Sequence, residues 1–316
     1  MPQVTGVGTT WNLPNYAGEL FTADATTTPL LSISGGLTSG RQTNDFRFPT
    51  SVLFDFPAPA QPAITEAGSV TAPTPTEIAR TQEYNVTQIF QEAIQLTYEK
   101  QSNMGYMSGL NTAGQQPNPA QEEAWQIQQR LIKIARDVEY TFINGQFQEA
   151  TADNVANKTR GMIELCSTGN TIAAGSALTK AMLDQFYKMM ADNGAYFSNM
   201  VVFVNSSLKQ ALTTIYNNQL GFALPPTRNV GGLNITEFEC DFFKGGIVYS
   251  RFMPQDTVLL ADVSYIAPVF QPVPNKGNFF IEELAKTGAS DAKQIYGKVG
   301  LAHGPNFLHG TITGIA

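Results

Sequence analysis

Between residues 47 and 98 the chain cannot build a core of its own, and this constrains the fold more than any other stretch. Apolar residues alternate weakly from Phe48 through Val52, Phe54 and Phe56, as in a strand with one covered face. Pro57, Pro59, Pro62, Pro73 and Pro75 then forbid helix and admit only edge pairing. From 81 to 98 a strand pattern returns, with Tyr84, Val86, Ile89 and Phe90 leading to Ala93, Ile94, Leu96 and Tyr98. The pattern predicts a long two-stranded excursion. Two strands alone are barely stable in water, so this one needs a partner.

Residues 1–40 make a similar demand. They hold no Lys or Arg and only Glu19 and Asp24, with Trp11, Leu13, Tyr16, Leu20, Phe21, Leu30, Leu31 and Ile33 scattered among Gly, Thr and Pro. The segment is too apolar for a solvated tail and too irregular for a domain, so it reads as an extended arm lying on another surface, such as a second subunit. Deleting residues 1–34 is therefore expected to leave the core folded and to block association. Composition agrees: charged residues are 14% of the chain against a usual ~25%, while apolar residues are 42%. A weakly charged surface suits a subunit with large obligate interfaces.

With 316 residues the chain has room for roughly two domains of ~150 each. A net charge of −7 and a pI near 4.9 argue against a broad basic face for nucleic acid. Cys166 and Cys240 are too few for a disulfide framework or a four-ligand zinc site, and read as buried thiols of a reducing cytoplasm. No signal peptide opens the sequence and no apolar window approaches ~18 residues, so a soluble protein without a membrane partner is expected.

The clearest helix opens at Asn118 (N-cap) and Pro119, and runs to a stop at Gly145. Its apolar face is Ile127, Leu131, Ile134, Ala135, Val138 and Phe142. Lys133 with Asp137, and Arg136 with Glu139, are expected as ion pairs on its wet side. After Thr159, Arg160 and Gly161, residues 162–166 read as a short strand. Thr179 caps a helix with Met182, Leu183, Phe186, Tyr187 and Met190 inward, ended by Gly194. A continuous apolar strand follows at 200–204, then a helix capped by Asn205 and carrying Leu208, Leu212 and Ile215. A loop at 217–232 leads to strands at 233–240, 247–252 and 257–270, with a turn at Lys244, Gly245 and Gly246, and the chain closes with strand at 309–315.

Catalytic readings find little support. His303 and His309 are six apart in a Gly-Pro-Asn loop without evident partners, and are expected as surface or edge-strand histidines. Gly6 and Gly8 lack the third glycine of a dinucleotide turn, and no phosphate-loop or nucleophile-elbow motif occurs. Glu122 and Glu123 are explained by the positive end of the long helix. Phe46, Phe48, Phe54 and Phe56 could form a stacking platform for single strands, but no Lys occurs from 2 to 99, so protein contact is preferred. No catalytic residue, metal or cofactor is expected.

The order of parts, and two runs in particular, resemble the major capsid protein of tailed double-stranded DNA phages, the Hong Kong 97 type of capsid fold. The runs are RLIKIARDVEYTFING at 130–145, followed by Thr159, Arg160 and Gly161, and ELAKTG at 283–288, continuing to QIYG at 294–297 and FLHGTITG at 307–314. The resemblance implies an α+β fold with an N-terminal arm (1–40), an extended loop (41–84), a peripheral domain (85–165 and 262–316) with a spine helix at about 119–144, and an axial domain (170–260). It implies a non-enzymatic structural protein that self-assembles as hexamers and pentamers into an icosahedral head around double-stranded DNA, bound without sequence specificity. Portal and separate scaffolding proteins, and a decoration or cementing protein, are the implied partners, and the virion, assembled in the bacterial cytoplasm, the location. Expected subunit contacts are Trp11, Tyr16, Leu20, Phe21, Phe48, Phe54 and Phe56. Leu224, Pro225, Pro226 and Arg228 would lie near the capsomer axis, and Arg130, Lys133, Arg136, Asp137 and Glu139 would flank the spine. Some relatives join a loop lysine to a neighbour's asparagine; here 47–99 contains no lysine, so a non-covalent shell is expected. A β-rich tail, fibre or surface-layer subunit is the alternative, disfavoured by the long helix.

Overall fold

A computed structural model describes residues 28–54, 58–102, 122–220, 228–230, 233–286 and 288–316. In chain order the elements are α1 (Pro29–Ser34), β1 (Arg41–Gln42), β2 (Arg47–Phe54), α2 (Glu66–Ser69), β3 (Arg80–Val86), β4 (Gln88–Thr97) and α3 (Tyr98–Ser102). The long helix α4 (Glu122–Asn144) leads to α5 (Met162–Ser167), β5 (Asn170–Ala173), α6 (Lys180–Asp192), β6 (Met200–Val204), α7 (Ser206–Leu220), β7 (Arg228–Val230) and β8 (Leu233–Glu239). Then come β9 (Lys244–Tyr249), β10 (Val258–Asp262), β11 (Ala267–Phe270), β12 (Phe279–Glu283), β13 (Ser290–Ala302) and β14 (Gly310–Thr313). Asn118 and Pro119, the expected start of the long helix, lie outside the described residues.

Seven strands form one sheet in the order β5-β14-β10-β6-β9-β8-β7. Its central strands β6 and β10 are buried at every position, and their alternating side chains face two different cores. Val202, Val204, Val258 and Leu260 pack with Leu183, Phe186, Tyr187 and Met190 of α6 and with Leu208 and Leu212 of α7. Val201, Phe203, Leu259 and Ala261 point the other way, into a core shared with α1, α4, α5 and the second sheet. That sheet is built on the thirteen-residue β13, which pairs with β4 along one edge and with β11 and β12 along the other, while β1 runs parallel to β11. β2 and β3 form a separate two-stranded ladder.

The caps expected at Thr179 and Asn205 are present: the Thr179 hydroxyl accepts from the Met182 N–H at 3.3 Å and Asn205 Oδ1 from the Leu208 N–H at 2.9 Å. Where α4 ends, a Cβ on Gly145 would stand 2.4 Å from the Thr141 carbonyl oxygen and 2.6 Å from that of Thr159, so only glycine lets the two backbones meet.

Four sequence readings are corrected. Residues 162–166, expected as a strand, begin α5, because Met162, Leu165 and Cys166 are buried at helical spacing after an extended Gly161. The turn expected at Lys244 to Gly246 comes earlier, closed by the Cys240 N–H to Phe243 carbonyl bond at 3.0 Å. Gly245 lies instead within β9, where a Cβ would meet the Phe243 ring at 2.9 Å. The single strand expected at 257–270 breaks at Asp262, whose carboxylate caps a 3-10 turn (Val263–Tyr265) and sends the chain from one sheet to the other. Finally β14, within the 262–316 segment expected to join the spine, pairs with β5 and β10 in the seven-stranded sheet.

Candidate subunit interfaces

The excursion is rooted by interlocked polar groups. Asn85 is fully buried, and both ends of its amide are used. Its Nδ2 donates to the carbonyls of Leu301 (2.8 Å) and Arg160 (3.3 Å), and its Oδ1 accepts from the N–H groups of Arg160 (2.8 Å) and Val86 (2.9 Å). One side chain thus ties β3 to β13 and to the loop after α4. Beside it the Arg47 guanidinium lies 3.4 Å from the Tyr84 ring centroid, Tyr84 stands edge-on to Phe147 at 5.8 Å, and Arg160 covers Phe147 at 4.7 Å. Asparagine is depleted in strands, and its presence between Tyr84 and Val86 is the signal that would have found this root.

Phe48, expected at a subunit boundary, is 4% exposed and packs with Val269 and Ala302 over Gly300. It belongs to the subunit's own core. Beyond it the ladder shifts register between Pro49 and Ser51, and every described residue from 58 to 82 is exposed. Ile64 is 75% and Val70 87% exposed. Phe54 pairs with Arg80 at the outer end of the ladder, and Phe56 lies outside the described residues.

The spine carries a different surface. Ile134, Val138, Phe142 and Ile143 face inward, while Trp125 and Tyr140 are exposed. The Lys133 to Asp137 pair is present at 3.7 Å. The pair expected between Arg136 and Glu139 does not form: Arg136 reaches over the Phe252 ring at 5.9 Å, and Glu139 is buried, accepting backbone N–H groups from α1. Three ion pairs bolt the spine to the second sheet: Arg130 to Glu92 at 3.1 Å, Lys133 to Glu92, and Lys293 to Glu123. The Glu92 hydrogen bond raises the Lys133 pKa.

Of the N-terminal segment, Trp11, Tyr16, Leu20 and Phe21 lie outside the described residues. Leu30 and Leu31, at the end of the segment expected to lie on another surface, are 0% and 2% exposed and pack against the spine of their own subunit. A truncation through residue 34 would therefore open the subunit core. Leu224, Pro225 and Pro226 also lie outside the described residues, while Arg228 opens β7, the outermost strand of the seven-stranded sheet.

Both histidines are buried, contrary to expectation, at the junction between the sheets. His309 Nδ1 accepts the Asp262 N–H at 3.1 Å, which leaves the proton on Nε2 for the His303 carbonyl at 2.6 Å. His303 Nδ1 bonds the Gly304 carbonyl at 2.7 Å. Burial, the dominant cause, pushes both imidazoles down to about 4, so they are neutral structural groups. The Asp262 carboxylate accepts from Ser198 and Asn199 at 2.9 and 3.2 Å, holding the start of β6 to the same crossing. Burial raises the pKa of both cysteine thiols, away from nucleophilic character. Among the described residues no three His, Cys, Asp or Glu side chains group to hold a metal, and no helix is long and apolar enough to cross a membrane.

A spine helix laid across a long-stranded sheet, a seven-stranded sheet that the chain leaves at Asp262 and re-enters with β14, and an uncovered hairpin define a Hong Kong 97 type capsid subunit. Solved structures agree. The capsid asymmetric unit of cyanophage A-1(L) matches with a TM-score of 0.66 at 10% identity, over 95% of this chain and 96% of that one. The holo-SrpI encapsulin complex of Synechococcus elongatus PCC 7942 matches at 0.59 and 12%, over 95% and 92%. A chain of Mycobacterium phage Patience matches at 0.59 and 10%, over 92% and 85%. At such identities the likeness is one of fold. The SU10 major capsid protein model matches residues 3–316, and the chain belongs to that family. It is thus a phage major capsid protein, the subunit of an icosahedral shell. No curated protein matches it in sequence.

Proposed function

We propose that copies of this chain associate as hexamers and pentamers, with the excursion and the segment before Thr28 lying across neighbouring copies. The observation that carries this reading is the run 58–82, exposed throughout with Ile64, Val70 and Ile78 uncovered. Burying each of those side chains against a neighbour is worth ~1.5–3 kcal/mol before ordering costs, enough to decide association when repeated around a ring. In this reading residues 85–165 and most of 262–316 form the peripheral domain, and 170–260 with β14 form the axial domain. Leu224, Pro225, Pro226 and Arg228 are the residues this reading assigns to the capsomer axis.

The shell so formed is non-covalent, because no lysine lies in the excursion to supply an amine. Partners are a portal, a separate scaffolding protein and a cementing protein, with assembly in the host cytoplasm. Packaged DNA is enclosed without sequence readout, as suits a chain of charge −7. Sedimentation and electron microscopy of the purified protein test the reading. Capsomers or closed megadalton particles are expected, and a strict monomer at micromolar concentration, with or without scaffold, overturns it. Particles boiled in detergent should release one band near 34.3 kDa, and higher ladders surviving reduction would overturn the non-covalent shell.

A further inference from the structure

Glu139 sits on the inner side of α4, fully buried, and its carboxylate oxygens accept the N–H groups of Leu30 at 3.0 Å and Leu31 at 2.7 Å. Those N–H groups belong to the first turn of α1 and have no acceptor within it. The contact therefore seats the base of the N-terminal segment in the subunit core. Among the described residues no charged side chain compensates the carboxylate: of the other elements packed on α4, β4 brings Glu92, paired with Arg130 and Lys133, β13 brings Lys293, paired with Glu123, and α5 brings Glu164, which accepts the Phe147 N–H. α1 reads PLLSIS and β11, packed on it, APVF, both without ionisable groups. One turn back on α4, Arg136 is turned to Phe252. Burial outweighs the two N–H donors and raises the Glu139 pKa to about 7.

We propose that Glu139 is a clasp that holds residues 29–37 on the spine and loosens when its carboxyl loses the proton. The docked carboxyl holds its proton more tightly than one freed to solvent, whose ordinary value is 4.5. Docking is therefore tightest below that value, weakens as pH rises toward about 7, and levels off above it. Between pH 5 and 8 the docking equilibrium should change roughly 70-fold.

Amide hydrogen exchange on the purified full-length chain, corrected for the intrinsic pH dependence of exchange, reads this directly and is separate from the assembly experiment. Protection at Leu30 and Leu31 should fall roughly 70-fold from pH 5 to pH 8, while the amides of β6 change far less. Glu139→Gln keeps an oxygen acceptor and has no charge to titrate, so its α1 protection should be level across the range. Equal protection of wild-type α1 at both pH values overturns the proposal, as does an unchanged pH dependence in Glu139→Gln. If the variant does not fold, the wild-type series decides alone.

Discussion

Two antiparallel ladders share one stretch of chain, with only Thr87 between them, and they have opposite fates. β4 pairs with β13 over ten positions, and the sheet they form is covered by Ile134, Val138 and Phe142 of the spine. β2 pairs with β3 over seven, yet past the register shift Val52 remains 47% exposed and the run beyond is bare. Backbone pairing is satisfied in both, and each such bond nets only ~0.5–1.5 kcal/mol over water. Cover makes the difference. The bare ladder is an unfinished layer, and the proposed association supplies its second face from a neighbouring copy.

Acid should separate the two halves most strongly, since the covered half holds two neutral histidines and the hairpin none. Their folded pKa values of about 4 lie below the ordinary 6.5, so their stabilising effect is whole above 6.5 and is lost as pH falls toward 4. Each contributes on the order of 3 kcal/mol. Glu139 works in the opposite sense, so urea unfolding is best followed in a Glu139→Gln background. The midpoint should drop steeply from pH 6.5 to 4 while protease cleavage within 58–82 stays unchanged; a flat midpoint would refute the burial of the pair.

Phe142→Ala, on the spine helix that covers the β4–β13 ladder, should cost ~3–5 kcal/mol in chemical unfolding, and a loss under ~1 kcal/mol would mean the spine is not what covers it. Glu92→Gln removes two spine ion pairs, but Arg130 and Lys133 are 41% and 50% exposed. That change should cost at most about 1 kcal/mol and less at high salt. Combining Ile64→Ser, Val70→Ser and Ile78→Ser should leave subunit stability within ~0.5 kcal/mol and sharply reduce particle yield. A destabilised subunit would show that the hairpin is supported by its own chain.

The hairpin as far as Val86, the long helix, both caps and the buried strand at 200–204 were legible because each is written in local residues: prolines, a 3.6-residue period, a capping Thr or Asn, an unbroken apolar run; the rest of the expected return limb, 88–97, instead pairs with β13 as β4. What escaped depends on distance. Glu139 looked like an i+3 partner for Arg136, and nothing nearby announces that residues 30 and 31 claim it. The histidines read as surface groups because their partners, the Asp262 N–H and the His303 carbonyl for His309 and the Gly304 carbonyl for His303, are backbone atoms. Residues 257–270 carried strand pattern throughout, and only the three N–H groups converging on Asp262 show why one run serves two sheets. Residues 162–166 were misread for a nearer reason, since five residues with apolar positions on both sides of Glu164 do not fix their own period.

β14 occupies the slot between β5 and β10, hydrogen-bonded on both sides. It is synthesised after every other strand of either sheet, so a chain emerging from the ribosome holds two open sheet edges until residues 310–313 arrive. Open edges pair with whatever strand is near. A chain interrupted before residue 310 therefore leaves β5 without its partner and β10 with a bare edge.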